Sequence, residues 1–172
     1  MPSAHPNAQL IERFYTAFAK GDAATMAACY APDATFEDPV FTLKGAAIGQ
    51  MWHMLAQGAR EFSLEFRDIS ADDSTGRAHW EARYLFSGTG RKVHNIIDAE
   101  FQLRGGLIVS HRDRFDFWRW SRQALGLPGV LPRLRAQAPG LQVHVHIAQW
   151  EDLLADLDAE RIEFFIAFPG GL

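Results

Sequence analysis

The sequence contains a single cysteine, Cys29, so no internal disulfide can form and metal sites built from several thiolates are excluded. It also lacks an excess of basic residues, because 17 Lys and Arg stand against 21 Asp and Glu. The resulting net charge of −4 argues against a nucleic-acid partner. No apolar run approaches the roughly 18 residues of a membrane span, and residues 1–10 show no secretory signal. These absences favour a cytoplasmic protein with no membrane partner.

Apolar and aromatic side chains are abundant. Apolar residues make up 48% of the 172 residues and aromatic residues 12%, which is ample for a packed core. The charge is uneven: residues 1–135 hold 16 basic and 15 acidic residues, whereas residues 136–172 hold one arginine and six acidic residues. We therefore predict one domain over residues 1–135 and a distinct appendage over residues 136–172.

Apolar residues spaced three and four apart predict three helices at the beginning of the chain. The first covers residues 6–20, with Asn7 as a possible N-cap. The second follows Asp22 and includes Tyr30, and the third covers residues 45–59.

After the helices, the apolar period changes to two, which is typical of half-buried strands. The alternating runs cover residues 62–67, 78–86, 93–103 and 107–117. Helices followed by an antiparallel meander predict an α+β fold, with three helices packed on one side of a strongly bent antiparallel sheet.

Three polar residues interrupt the apolar face of these strands, namely Asn95, His111 and Asp113. A buried polar group needs a partner or a function, because leaving it unpaired costs about 1–3 kcal/mol. One interpretation is a structural network, such as His111 bonded to Asp113. The other is a functional site in one concave region.

Asp38 is a fourth candidate, since Pro39 holds it in an extended conformation. Asp before Pro also commonly begins a turn, so a turn is the alternative. If Asp38 instead faces an aromatic cavity, burial would raise its pKa and favour a role as proton acceptor.

Several segments resemble the nuclear transport factor 2-like superfamily, close to its ketosteroid isomerase and SnoaL-like polyketide cyclase branches. They are AKGD at 19–22, YAPDATFEDP at 30–39 and GGLIVSHRD at 105–113. The resemblance covers residues 6–126. It implies a cone-shaped α+β barrel around an apolar pocket and a homodimer through the outer sheet face.

The isomerase comparison implies that Asp38 is the general base. The first oxyanion donor of that family, a tyrosine, falls on Phe14, with Tyr15 next to it. The second donor, a carboxylic acid, falls near Ala99. The resemblance thus implies catalysis by Asp38 with Tyr15 as an imperfect donor.

The SnoaL-like comparison implies an acid/base carboxylate ahead of a Gln-Leu-Gly-like segment, which residues 123–126 match. Asp116 has the expected spacing, and strand alternation favours Asp113 with His111 beside it. Both remain candidates. The expected activity is an acid/base isomerase or cyclase acting on an apolar polycyclic or carbonyl compound; the alternative is a non-catalytic ligand-binding or dimerisation module.

The ligand is expected to be a small apolar molecule, held without a cofactor or a metal. Asn95 would orient it, and aromatic side chains would line the pocket. These aromatic candidates are Phe14, Phe18, Trp52, Trp80, Tyr84, Phe101, Phe115 and Phe117.

Beyond residue 135, the pattern predicts a strand, a helix and a second strand. Residues 139–168 resemble a βαβ piece of the effector-binding domain of LysR-type regulators. We expect an appendage of separate origin that docks on the main domain, pairs between subunits or stays poorly packed.

Overall fold

A computed structural model describes residues 5–58, 60–87 and 89–125. The helices are α1 (Pro6–Ala19), α2 (Ala23–Ala28), α3 (Ala46–Gly58) and α4 (Phe117–Leu125). The strands are β1 (Tyr30–Glu37), β2 (Thr42–Lys44), β3 (Arg60–Ala71), β4 (Thr75–Phe86), β5 (Arg91–Arg104) and β6 (Leu107–Arg114). The predicted appendage over residues 136–172 lies outside these residues.

The strands form one curved, unclosed sheet in the order β2-β1-β6-β5-β4-β3. The predicted α+β architecture is confirmed. One ladder departs from the meander: β1 pairs in parallel with β6, whereas the other described ladders are antiparallel. The last strand is therefore inserted between β5 and β1.

Irregular pairing accompanies the bend of the sheet. The register of β3 against β4 shifts twice, once between Arg60 and Ser63 and once between Arg67 and Ser70. Glu61 and Asp68 lie within these shifts, with φ angles of 51° and 56°. An extra residue in such a conformation bends and twists a strand. The curvature creates the concave face on which α1 packs.

Two details of the predicted helices are wrong. Asn7 is not the N-cap of α1; His5 caps it, and the Asn7 side chain instead donates to the Asp72 carbonyl at 2.8 Å. The second helix ends at Ala28, so Tyr30 begins β1. Asp22 does cap α2, since its carboxylate accepts from the Thr25 N–H at 3.0 Å.

The predicted last strand begins at Leu107 as expected, but the buried face at its start and the position of its end differ from the prediction. A bulge at Val109 shifts the register, because Gln102 pairs with Ser110 while Leu103 pairs with Ile108. Ile108 consequently takes the buried position. The strand stops at Arg114, and helix α4 follows where strand alternation was expected.

The outer face of the sheet carries cross-strand ion pairs. Glu81 accepts from Arg67 at 2.9 Å and from His94 at 2.7 Å, and these bonds lower the pKa of Glu81 to about 2. Further pairs are His79–Asp98, Arg114–Glu100 and Arg112–Glu37. The homodimer through this face stays a prediction.

Gly45 is required by the turn between β2 and α3. Its φ is +61°, and a Cβ there would lie 3.1 Å from the Pro32 carbonyl oxygen. We expect Gly45→Ala to lower the free energy of unfolding by about 2 kcal/mol, since left-handed strain adds to a close backbone contact.

Gly105→Ala is the matched control in urea unfolding. Gly105 has a φ of +60°, but a Cβ added there would have no atom within 4 Å, so only the conformational strain of about 1 kcal/mol should appear. Equal losses in the two variants would contradict a role for the Pro32 contact.

Candidate active site

A buried hydrogen-bond network links β6 to β1 and α3. His111 and Asp113 are 1% and 3% exposed. The His111 Nε2 lies 2.9 Å from the Asp113 Oδ1, and its Nδ1 lies 2.6 Å from the Tyr30 hydroxyl. Trp52 donates to that hydroxyl at 3.1 Å, and Trp80 donates to the Asp113 carboxylate at 3.4 Å. Each of these buried polar groups therefore has a hydrogen-bond partner.

The two indoles fix the direction of the network, because an indole N–H can only donate. Trp80 donates to the Asp113 oxygen, and the His111 tautomer that carries its proton on Nε2 donates to the same carboxylate. The Nδ1 atom accepts from the Tyr30 hydroxyl, whose oxygen accepts from Trp52. Every described donor in this network has an acceptor.

Asp38 lies just after β1, and both sequence interpretations of it find support. Its Oδ1 accepts from the Val40 N–H at 2.7 Å and the Phe41 N–H at 2.5 Å, which is the expected turn. Its Oδ2 accepts no hydrogen bond from the described residues. The pKa of Asp38 is raised to about 6, chiefly by burial; the charge of Asp113 adds to the rise, and the two backbone bonds oppose it.

Tyr15 places a second polar group in this interior. It is fully buried, and its hydroxyl has no hydrogen-bond partner among the described residues. Burial and the charge of Asp113 raise its pKa well above 10. The Tyr15 O–H is thus a neutral, unused donor near the Asp113 carboxylate.

Helix α4 packs against the inner end of β4 and β5. Trp120 donates to the Tyr84 hydroxyl at 2.8 Å, and its ring contacts Phe86 and Phe117. Burial raises the pKa of Tyr84, and the charge of Asp38 adds to the rise. The Tyr84 O–H donates to no acceptor among the described residues.

The predicted aromatic lining divides into two groups. Five of them belong to the packed core and are at most 7% exposed, namely Phe14, Phe18, Trp52, Trp80 and Phe101. The first four are linked by ring contacts, and Phe101 contacts Tyr15 and His111. Tyr84, Phe115 and Phe117 are half-buried, as is Asn95. A ligand would therefore reach these half-buried side chains more readily than the filled core.

His111 and Asp113 are hydrogen-bonded to each other, and the charge of Asp113 contributes to the pKa of both Asp38 and Tyr15, whereas Asp116 is not part of this group. The Asp116 carboxylate is exposed and accepts from the Arg119 N–H at 2.9 Å, at the start of α4. Of the two predicted carboxylates, Asp113 alone is buried with His111. Asn95 lies opposite Ala82 in β4. Among the described residues, no hydrogen bond joins Asn95 to His111 or Asp113.

Sequence reasoning missed Tyr30 and Trp120 as site residues. Tyr30 precedes an irregular part of β1, where the register against β6 shifts, so strand alternation does not reveal its direction. Trp120 lies beyond the predicted strand, which ends at residue 117, and no element was predicted there. The signal for α4 was present, because Phe117, Trp120, Ser121 and Ala124 are spaced as one helix face.

Among residues 5–58, 60–87 and 89–125, no group of three or more His, Cys, Asp or Glu side chains is arranged to hold a metal ion. In the same part of the chain, no helix has the length and apolarity needed to cross a membrane.

Solved structures of several proteins share this fold. An LEH-like epoxide hydrolase from M. tuberculosis is 19% identical with a TM-score of 0.60, covering 81% of this chain and 100% of that one. A candidate polyketide cyclase from Xanthomonas campestris pv. campestris is 21% identical with a TM-score of 0.59, covering 69% and 96%. IdmH, a candidate polyketide cyclase from Streptomyces antibioticus, is 22% identical with a TM-score of 0.59, covering 72% and 100%.

These identities show a common fold and not a common activity. No curated protein matches the chain. The family model of the SnoaL-like domain matches residues 11–111, which run from α1 into β6 and include His111. The chain therefore belongs to the SnoaL-like domain family.

Proposed function

We propose that this protein catalyses proton transfer on an apolar carbonyl compound, as an isomerase or cyclase of steroid-like or polyketide-like substrates. The observation that carries the proposal is Asp38, a half-buried carboxylate with one oxygen bound in a turn and the other unused by the described residues. A pKa of about 6 leaves it ionised at neutral pH and basic enough to accept a proton from carbon next to a carbonyl.

The surrounding groups have complementary roles in this proposal. The turn holds Oδ1 of Asp38, so the carboxylate is oriented before substrate binds. The half-buried Tyr84 hydroxyl is a neutral donor for the enolate oxygen that develops when the proton leaves, whereas Tyr15 is fully buried in the packed core. His111 and Asp113 form a hydrogen-bonded polar pair within the apolar interior, and the Asp113 charge contributes to the raised pKa of Asp38.

The test is hydrogen–deuterium exchange at carbons adjacent to the carbonyl, followed by NMR in D2O over a panel of cyclic ketones and enones. Exchange reports enolisation whatever the final product is. We expect Asp38→Asn to lower the exchange rate at least about 100-fold, because a neutral amide cannot accept the proton. The wild-type rate should rise with pH and level off above about 6, where Asp38 is ionised.

Asp33→Asn is the matched control. Asp33 lies in β1, shortly before Asp38 in the chain, but it is exposed and pairs with Arg104 at 3.3 Å. Its substitution should leave the exchange rate unchanged. An equal rate in wild type and Asp38→Asn would remove Asp38 from the mechanism.

A second candidate function is ligand binding without turnover. It is supported by Phe14 and Ala99, which stand where the resemblance expects the two oxyanion donors and which cannot donate through their side chains. Native mass spectrometry of the purified protein separates the candidates: a retained apolar molecule with no exchange on any panel compound favours binding.

A further inference from the structure

A basic cleft lies on the surface of the domain, and none of the acid/base groups described above lines it. It has a volume of about 680 Å³ and is open to solvent. We call it the α4 cleft; it lies between the beginning of β5 and helix α4. The described residues that line it are Arg91, Lys92, Arg119, Arg122 and Gln123.

The charges in the α4 cleft are uncompensated among the described residues that line it. Four of its lining side chains are cationic and none is acidic. Arginines elsewhere on the sheet are paired with carboxylates on a neighbouring strand, as Arg112 is with Glu37 at 2.9 Å and Arg114 with Glu100 at 3.2 Å. Clustered cations repel one another, so an anionic ligand would gain from all four.

Hydrogen bonds hold the two walls of the α4 cleft together. Arg91 donates from Nε to the Gln123 carbonyl at 2.8 Å, and the Gln123 side chain accepts from the His94 N–H at 2.8 Å. Thr89 donates to the Ala124 carbonyl at 2.5 Å. The cationic side chains therefore project from segments that these hydrogen bonds already hold together. Less conformational entropy is lost when a ligand binds to such a preorganised site.

An exposed aromatic ring is carried by α4, the helix that forms one wall of the α4 cleft. Trp118 is 43% exposed, an unusual state for a large apolar side chain. It precedes Arg122 by four residues, so the two lie next to each other on one face of α4. An exposed indole beside guanidinium groups provides stacking for a planar base and bidentate bonds for phosphate oxygens.

We propose that the α4 cleft binds a nucleoside diphosphate group, with the phosphates on Arg119, Arg122, Arg91 and Lys92 and the base on Trp118. A single carboxylate would satisfy one guanidinium, whereas a diphosphate can accept from several cations at once. The proposal does not depend on the acid/base function of Asp38.

The experiment is calorimetric titration of the full chain with ADP and, separately, with pyrophosphate at low salt. We expect both to bind, and Arg119→Gln/Arg122→Gln to raise both Kd values at least about tenfold. Trp118→Ala should raise the Kd of ADP about fivefold and leave that of pyrophosphate unchanged, because only ADP carries a base. Added NaCl should weaken both.

Arg112→Gln/Arg114→Gln on the outer sheet face is the matched control, since it removes the same charge. Its Kd values should stay within about twofold of wild type. Absence of ADP binding, or equal weakening by the two double variants, would overturn the proposal. An unchanged Kd of ADP in Trp118→Ala would overturn the assignment of the base. Exchange by Asp38 should be unaffected in Arg119→Gln/Arg122→Gln, so the two proposals fail separately.

Discussion

Replacing His111 with alanine is expected to lower the free energy of unfolding by about 3–5 kcal/mol. The ring is 1% exposed and lies between the Tyr30 hydroxyl and the Asp113 carboxylate. Removal of the ring leaves a cavity. The buried Asp113 carboxylate also loses a hydrogen-bond donor, and the buried Tyr30 hydroxyl loses an acceptor. Urea unfolding followed by circular dichroism measures the loss.

A second variant distinguishes packing from hydrogen bonding. His111→Phe keeps a ring in the space but cannot bond to Tyr30 or Asp113, so it should still lose about 2 kcal/mol. His53→Ala, on an exposed part of α3, should stay within about 0.5 kcal/mol of wild type. If His111→Phe is as stable as wild type, the network does not stabilise the interior.

Replacing Asp38 with asparagine is expected to stabilise the protein above pH 6 by up to about 3 kcal/mol. The pKa of Asp38 is raised from 3.8 to about 6 in the folded state. Between these values the unfolded chain releases its proton first, so the folded protein loses stability as pH rises. Above about pH 6 the full cost of the buried charge is present, and below 3.8 it vanishes.

Asparagine is a close replacement, because its side-chain oxygen can accept from the same Val40 and Phe41 N–H groups. The measurement is the difference in unfolding free energy between Asp38→Asn and wild type, taken at a pH near the ordinary carboxyl pKa and again well above 6. A difference that does not grow with pH would contradict the raised pKa. A variant that is more stable but inactive would indicate that stability is sacrificed for a basic carboxylate.

The sequence was sufficient for the regular parts of the fold. Alternation located β4 and β5, and it placed His111 and Asp113 on a buried face, where the structure has them at 1% and 3% exposure. Periodicity works there because one face of each strand is buried throughout. The helical spacing of α1 succeeded for the same reason.

The sequence was insufficient where the period is interrupted. The bulge at Val109 moves Ile108 inward, and a single extra residue leaves no mark in an apolar run. The strand ends at Arg114 and α4 begins at Phe117, just after Asp116, so the strand alternation predicted for residues 115–117 does not apply. The parallel pairing of β1 with β6 depends on contacts distant in sequence, which local patterns do not contain.

That parallel pairing also sets the order in which the molecule can assemble. Tyr30 and His111 are 81 residues apart in the chain, and β6 reaches β1 only after the intervening strands have emerged. Closing so long a loop is slow compared with forming hairpins between successive strands. A growing chain that ends before β6 therefore lacks the strand that joins its two halves, and the candidate active site is among the last parts of the protein to form.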